Sequence, residues 1–342
     1  MADSSPLKAT SGRITIRTVA EDAGVSVSAV SKVLRNAYGV SDALRLKVVD
    51  SIERLGYRPS VGARGMRGQT YTLGVLLVGL DNPFLPKIVE GISAVAEAAG
   101  YKVLVGIGAA RTPVEASLIE QMIDNRMDGL VLVAAQITGK MLAKFAQQIP
   151  ISVIGHHEAS GENFDTVNSD DLKGAKMAVH ALVARGHRDI AMVSLAPPKA
   201  NDPDVMAQRE IGYRTAMAEA GLEAAVRIVR FENNDPDRIV KMQAWLAGPD
   251  LPRAIFCWSD LDGIPILNMA RQRGIRVPED LAIIAYDNSP VAGLPLISLA
   301  SLDQAGQRIG QLAAEALLSR IAGRSVAEHR LIEPTLAARN SF

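Results

Sequence analysis

The stretch Thr15-Ile-Arg-Thr-Val-Ala-Glu-Asp-Ala-Gly-Val-Ser-Val-Ser-Ala-Val-Ser-Lys-Val-Leu-Arg35 decides how the rest of this chain is read. Apolar Ile16, Val19, Ala20 and Ala23 recur at the spacing of a single helix face. Thr15 stands where a side-chain oxygen caps a first turn, and Gly24 where the chain leaves a helix through the left-handed region that glycine adopts at little cost. Ser26 then opens a second helix with Val30, Val33 and Leu34 inward and with Val27, Ser28, Ala29, Ser31, Lys32 and Arg35 outward. Ala20 and Ala23 let two helices cross closely over the short joint Ala23 to Ser26, which predicts a helix-turn-helix. The outward face carries short hydroxyls, small apolar groups and two cations, and from the start of this second helix no carboxylate occurs until Asp42. Such a face suits a phosphate-lined major groove, although a helical hairpin docked on a larger core shows the same pattern.

Working outward, Ser41 is placed to cap a third helix whose Leu44, Val48, Ile52 and Leu55 lie on one face, with Gly56 closing it. Residues 1–13 form an arm of Ser, Ala and Lys that is expected to be disordered. Tyr57 to Gly68 holds several arginines and glycines and too little apolar surface for a domain, so it reads as a linker able to lie on nucleic acid. Residues 1–70 contain 11 Lys+Arg and 6 Asp+Glu, a net of +5. The whole chain has 37 of each, leaving 26 and 31 for residues 71–342, a net of −5. A small basic head therefore precedes a larger, mildly acidic body, a split hidden by the zero overall charge.

The body from Tyr71 alternates short apolar runs with amphipathic stretches, as parallel α/β units require. The runs are Leu73–Val78, Val103–Ile107, Leu130–Val133 and Ile151–Ile154, and then Ile190–Ser194, Val226–Val229, Ala254–Cys257 and Ala282–Tyr286. Two similar sets predict two lobes and a cleft. The single cysteine, Cys257, excludes an internal disulfide and fits a reducing compartment. Met1 to Gly12 lacks an apolar core, and no run approaches the roughly 18 apolar residues of a membrane span. The expected location is cytoplasmic, with no membrane partner.

Three segments together resemble the LacI/GalR family of bacterial transcription regulators: Thr18-Val-Ala-x-x-Ala-Gly-Val-Ser-x-x-x-Val-Ser-Lys-Val-Leu34, Val40-Ser-x-x-x-Arg-x-x-Val48, and Gly56-Tyr-x-Pro59. The resemblance runs to the end of the chain. It implies an all-α helix-turn-helix head followed by a two-lobed α/β body of periplasmic-binding-protein type. The head would span 14–58 and a hinge 59–70. The body would span 71–342, with one lobe at about 71–169 and 303–333 and the other at about 170–302 and 334–342. Three crossings between lobes are expected near 168–172, 300–304 and 333–336. The partner implied is double-stranded operator DNA, met by Thr15, Ser26, Val27, Ser28, Ala29, Ser31, Lys32, Arg35 and Tyr57. In the hinge, Met66 takes the place of the family's wedging leucine, beside Arg64 and Arg67. Gly62 and Gly65 depart from that pattern, each disfavouring helix by roughly 1 kcal/mol relative to alanine.

The resemblance also implies a small-molecule effector in the cleft. Its candidate residues are Asp81, Asn82 and Phe84 after the first strand, Arg209, Trp258, Asp260, Asp287 and, at the last crossing, Gln304. An arginine facing a carboxylate suits the alternating donors and acceptors of a sugar, and an indole suits a pyranose face. Ser259 stands where the family has asparagine, and Gly155-His156-His157-Glu158 departs from its usual acid and base, leaving the effector open. Adjacent histidines on an extended segment face opposite ways, so no shared metal is expected.

Enzyme readings find little. Gly106-Ile-Gly-Ala-Ala-Arg111 starts like a dinucleotide fingerprint, but Arg111 replaces its third glycine. No nucleophile elbow or Walker loop occurs. The chain is therefore expected to be a non-enzymatic, cofactor-free repressor responding to a sugar or sugar derivative. The alternatives are a corepressor-dependent regulator with a purine-type ligand and, further off, a solute-binding protein. A homodimer is expected rather than a tetramer, because the chain stops three residues after Arg339 without the leucine-repeat helix of the family's tetramers.

Overall fold

The structure is a computed structural model that describes residues 14–34, 37–58, 69–158, 161–195, 204–232 and 235–342. The arm 1–13, Arg35, and the hinge residues Gly62, Arg64, Gly65, Met66 and Arg67 lie outside the described residues. The chain forms two compact units, one ending at Thr70 and one running from Tyr71 to Phe342.

The first unit holds helices α1 (Ile16–Asp22), α2 (Val27–Leu34) and α3 (Asp42–Leu55). Thr15 and Thr18 form a reciprocal capping box at the start of α1. Ser26 Oγ accepts the Ala29 amide at 3.1 Å, and Ser41 Oγ accepts that of Leu44 at 3.3 Å, so short hydroxyls satisfy the first turns of α2 and α3. Gly24 leaves α1 at φ +63°, in the left-handed region. The core is Val19, Ala20, Val30, Val33, Val48 and Tyr57. Ser51 Oγ donates to Asp22 Oδ2 at 2.6 Å and Arg54 pairs with the same carboxylate at 2.9 Å, tying α3 to α1.

Two positions on α2 differ from the expected faces. Leu34 is 38% exposed and Ser31 only 4% exposed. Leu34 is the last residue of α2, whereas Ser31 lies one turn earlier on the same side, where a small side chain permits close packing.

The second unit contains, in order, β1 (Thr72–Leu77), α4 (Leu85–Ala98), β2 (Lys102–Ile107), α5 (Thr112–Asp124), β3 (Gly129–Val133), α6 (Gly139–Ala146), β4 (Ile151–Ile154), β5 (Asp165–Ser169) and α7 (Asp171–Ala184). There follow β6 (Ile190–Ser194), α8 (Val205–Glu219), β7 (Arg227–Arg230), α9 (Arg238–Leu246), β8 (Ala254–Cys257), α10 (Asp260–Gln272) and β9 (Ala282–Tyr286). Last come β10 (Ala300–Asp303), α11 (Gly306–Ile321), β11 (His329–Ile332) and β12 (Thr335–Ala337). One sheet has the order β11-β5-β4-β3-β1-β2 and the other β12-β10-β9-β8-β6-β7. All pairings are parallel except β10 with β12. The central strands β1, β3, β6, β8 and β9 are buried along nearly their whole length, which explains their unbroken apolar runs.

The chain passes from the first sheet to the second between β5 and α7, returns between β10 and α11, and passes again between β11 and β12. Helices α4 and α11 pack closely in the first lobe because each has a glycine at the contact. A Cβ at Gly91 would strike the Gln307 carbonyl, and one at Gly310 that of Ile88. Among the described residues, no helix is long and apolar enough to cross a membrane.

Candidate functional site

Two regions concentrate the candidate residues. On the head, Ser28 and Lys32 are exposed, Val27 is 37% exposed and Ala29 is half-buried. Thr15 and Ser26 are engaged as caps, and Ser26 Oγ also lies 2.8 Å from Ser28 Oγ. Two expected contacts do not fit an outward face: Ser31 is buried, and the Tyr57 ring, 8% exposed, packs in the head core beside Val48 and Val33. A chain that must close a core of six side chains uses the tyrosine ring for packing, which sequence position alone did not reveal. The contacts expected from Arg35, Arg64, Met66 and Arg67 fall outside the described residues.

The second region lies beyond the carboxyl ends of the strands, between the two lobes. Arg209, on α8, is fully buried. Its Nε donates to Asp171 Oδ1 at 2.7 Å, its Nη1 donates to the Trp258 carbonyl, and its guanidinium carbon sits 3.6 Å from the Tyr286 ring centroid. Burial opposes its charge, but Asp171, Tyr286 and Asp287 outweigh burial and the guanidinium is held above its ordinary pKa. Asp287 follows β9 at φ +104°, a strained conformation for a residue with a side chain. Its Oδ1 lies 3.9 Å from Arg209 Nη1. The same carboxylate accepts Asn82 Nδ2 at 3.0 Å and Gln304 Nε2 at 2.6 Å. Burial pushes the Asp287 carboxyl up to about 7, Arg209 pulling down and Asp260 pushing further up. Asn82 belongs to the first lobe and Asp287 to the second, so this bond spans the cleft, while Gln304 enters from the second crossing.

Trp258 follows β8 and is half-buried, and its indole N–H donates to Asp262, which Arg238 also contacts. Burial pushes Asp262 up to about 6 against those two partners. The structure thus brings Asn82, Arg209, Trp258, Asp287 and Gln304 into one connected cluster.

Three other candidates lie near this cluster without a hydrogen bond to it from their own side chains. Asp260 uses both oxygens internally, accepting Ser301 Oγ and the Ser289 amide at 2.7 Å each, and so pins α10 to the loop after β9. Asp81 is exposed on the turn after β1. Phe84 is buried in the first lobe's core, with one side lining, together with Asp287 and Asp303, a cavity of about 510 Å³. Reasoning from sequence missed Asp171, which holds the arginine, and Tyr286, which underlies it. Asp171 stood in an Asp-Asp pair that reads as an ordinary helix start, and nothing local marks a partner 38 residues away. The two histidines do face different partners: His157 Nε2 lies 2.8 Å from Asp171 Oδ2 and His156 Nε2 lies 3.0 Å from Glu158 Oε2. Among the described residues, no three His, Cys, Asp or Glu side chains are grouped to hold a metal.

A helix-turn-helix head on a two-lobed body with a polar cleft is the plan of a ligand-responsive, DNA-binding regulator. Residues 15–60 match the description of bacterial regulatory proteins of the lacI family, and residues 179–342 that of a periplasmic binding protein-like domain. The HTH-type transcriptional repressor PurR of Erwinia tasmaniensis is 30% identical over 333 residues, covering 96% of either chain. The chain belongs to the lacI family of bacterial regulatory proteins, as a DNA-binding transcriptional repressor with a ligand-binding body and not an enzyme. Catabolite control protein A of Priestia megaterium is 28% identical over 323 residues, 94% of this chain and 96% of that one. Among solved structures, a complex of the transcriptional regulator CelR with cellobiose is 28% identical, with a TM-score of 0.68 over 96% of this chain and all of that one. The lac repressor dimer bound to operator and the anti-inducer ONPF shares the fold, with a TM-score of 0.82 at 21% identity over 96% of this chain and 99% of that one.

Proposed function

We propose that this repressor works in the cytoplasm as a homodimer on an operator of approximate two-fold symmetry, and that a neutral carbohydrate in its cleft changes its operator affinity. The observation that carries the ligand class is Asp287, whose carboxylate takes one amide from the first lobe and one from the second crossing, beside a buried arginine. Arg209 already faces two carboxylates, Asp171 and Asp287, so the cluster has no surplus positive charge for a phosphate. Its mixture of acceptors and amide donors beside an indole fits hydroxyl groups instead. The cellobiose bound by CelR supports the same class.

For the dimer, the support is the edge strand β2, on which Leu104 and Val105 are 53% and 47% exposed, an unpaired apolar edge of the kind that proteins cover. Two heads on one dimer impose the symmetry of the site. In the groove, Val27 and Ala29 offer apolar contact, for instance to thymine methyls, and Ser28 a hydroxyl.

A thermal-shift screen with cellobiose, D-galactose, D-ribose, hypoxanthine and guanine, followed by gel shift on operator DNA, tests the reading. Stabilisation by a sugar with altered operator affinity, absent in Arg209→Ala, is expected. Stabilisation by a nucleobase that also tightens operator binding would replace it with the purine-type corepressor reading. Light scattering that gave a tetramer at all concentrations would overturn the dimer.

A further inference from the structure

The loop after β4 touches the other lobe at two places, and both lead to the same arginine. His156 forms an isolated antiparallel bridge with Asp204, whose side chain accepts the Ala207 amide at 2.7 Å and so caps α8, the helix that carries Arg209. His157 reaches Asp171 Oδ2 at 2.8 Å while the other oxygen of that carboxylate accepts Arg209 Nε at 2.7 Å. The four side chains His157, Asp171, Arg209 and Asp287 are each less than a tenth exposed. This row therefore lies out of water, where each contact depends on the next.

The loop is held firmly enough to act as an anchor. Asn168 on β5 accepts the amides of Gly155 and His156 at 2.7 and 3.3 Å and donates to the His156 carbonyl at 2.7 Å. Gly155 sits at φ +84°, and a Cβ there would stand 3.1–3.4 Å from atoms of Ala134, a conformation and a tight place that both disfavour a side chain. Asp171, in turn, opens α7 directly after the first crossing, so its carboxylate moves with the second lobe.

We infer that His157 is a cross-lobe positioning residue: through Asp171 it fixes the buried guanidinium of Arg209, so that the geometry of the effector arginine depends on the lobes being apposed. The chemistry is that of one carboxylate shared between two donors on opposite lobes. When the lobes separate, Asp171 loses its partner from the first lobe and Arg209 loses one restraint on its orientation. Closure and arginine placement are then a single event, which is what a cleft needs if ligand contact is to be felt as lobe movement. Asn82 and Asp287 form the corresponding contact on the other side of the guanidinium. The inference rests on the reading of Arg209 as an effector residue.

Its test needs no ligand. The chain has two tryptophans, Trp245 and Trp258, so Trp245→Phe leaves Trp258, whose carbonyl accepts Arg209, as the sole indole. In that full-length background, His157→Ala is expected to shift Trp258 emission to the red and to raise its quenching by acrylamide. It is also expected to speed amide exchange in α8, with exchange in α4 and α11 unchanged. His157→Gln, which keeps an N–H donor of similar reach, restores the parent values, and His157→Ala added to Asp171→Asn produces no change beyond that of Asp171→Asn alone, because His157 acts only through that carboxylate. Unchanged emission and α8 exchange in His157→Ala overturn the inference, as does a failure of glutamine to rescue. If the emission shifts while none of the sugars of the screen stabilises the chain, the carbohydrate reading falls and the latch stands.

Discussion

Two buried carboxylates show how differently one side chain is used in the two regions of the body. Asp165, on β5 in the first lobe, accepts Arg320 at 3.2 and 2.8 Å, Arg324 at 3.0 and 2.6 Å, and the Glu328 amide at 2.9 Å. Burial alone would raise its pKa, but the two arginines and the amide reverse that and hold it below the ordinary carboxylate range. Asp287, also shielded from solvent and more deeply set among protein atoms, has two neutral amides and one guanidinium at 3.9 Å, and burial wins. The first is a staple that joins β5 to the end of α11 and the approach to β11. The second is left short of positive charge at the mouth of the cleft, which is where a hydroxyl donor from a ligand gains most.

Removing the staple has the largest expected effect. Asp165→Ala strands two mostly buried guanidinium groups and should cost about 3–5 kcal/mol of body stability, read as a lower urea midpoint. A loss under about 1 kcal/mol would mean that water reaches both arginines and that the contrast with Asp287 is overstated.

The second prediction uses the opposite signs of the two shifts. The folded-state pKa of Asp287 is raised to about 7, so the native state holds a proton that the unfolded chain releases near the ordinary value of 3.8. Its contribution to stability therefore falls as pH rises from about 4 to about 7 and is level above that. The Asp165 contribution runs the other way, being present above the ordinary carboxylate pKa and lost on acidification. Asp287→Asn should remove the fall between pH 4 and 7, a difference on the order of 4 kcal/mol between parent and variant. Parallel stability–pH curves for the two proteins would show that Asp287 is ionised in the native state throughout.

How much of this contrast was legible in the sequence depends on where the partners lie. Arg209 and Asp287 were found because the stretches that hold them, Gln208-Arg-Glu-Ile-Gly-Tyr213 and Ala285-Tyr-Asp-Asn288, resemble those of the family. Eight strands were read from their apolar runs: six of them, β1, β3, β4, β6, β8 and β9, are covered on both faces and need apolar residues throughout, while the edge strands β2 and β7 are only partly covered. Strand β5, Asp165-Thr-Val-Asn-Ser169, was missed since its polar side chains are there to bond: Asp165 to the arginines, Asn168 to the loop after β4, Ser169 near Tyr286. Strands β10, β11 and β12 are short and lie at crossings, where pairing comes from distant chain and leaves no periodic signal. Asp260 was assigned to the ligand by position, and only the fold reveals Ser289 and Ser301 as its partners. Helix caps, by contrast, depend on neighbours three residues away, so Thr15 and Ser41 were readable directly.

A smaller change sharpens the comparison further. Asn82→Ala removes one of the two amides that partly stabilise ionised Asp287, along with the bond from the Phe84 amide to Asn82 Oδ1. The expected cost is about 1–2 kcal/mol. Because the lost bond lowered the carboxyl's pKa, the fall in stability should extend to higher pH than in the parent. An unchanged pH profile would place the control of Asp287 with Gln304 and Arg209 alone.

The smallest expected effect on the fold belongs to a charge that neither region uses. Lys32 is exposed on α2, and nothing in the head core depends on it, so Lys32→Ala should leave the unfolding midpoint of the chain where it was. Its proposed partner is a phosphate, and a phosphate contact acts through counterion release, which is blind to sequence. Operator and unrelated DNA should therefore weaken together, and the slope of log affinity against log salt should fall by about 1. Asp165 and Asp287 differ because each is bound up with groups of the protein itself. Lys32 differs from both because its free energy is realised only on DNA. A variant that changed which base is preferred, at constant salt slope, would move Lys32 from the backbone to a base edge and give α2 a charged base contact beside the apolar and hydroxyl contacts of Val27, Ser28 and Ala29.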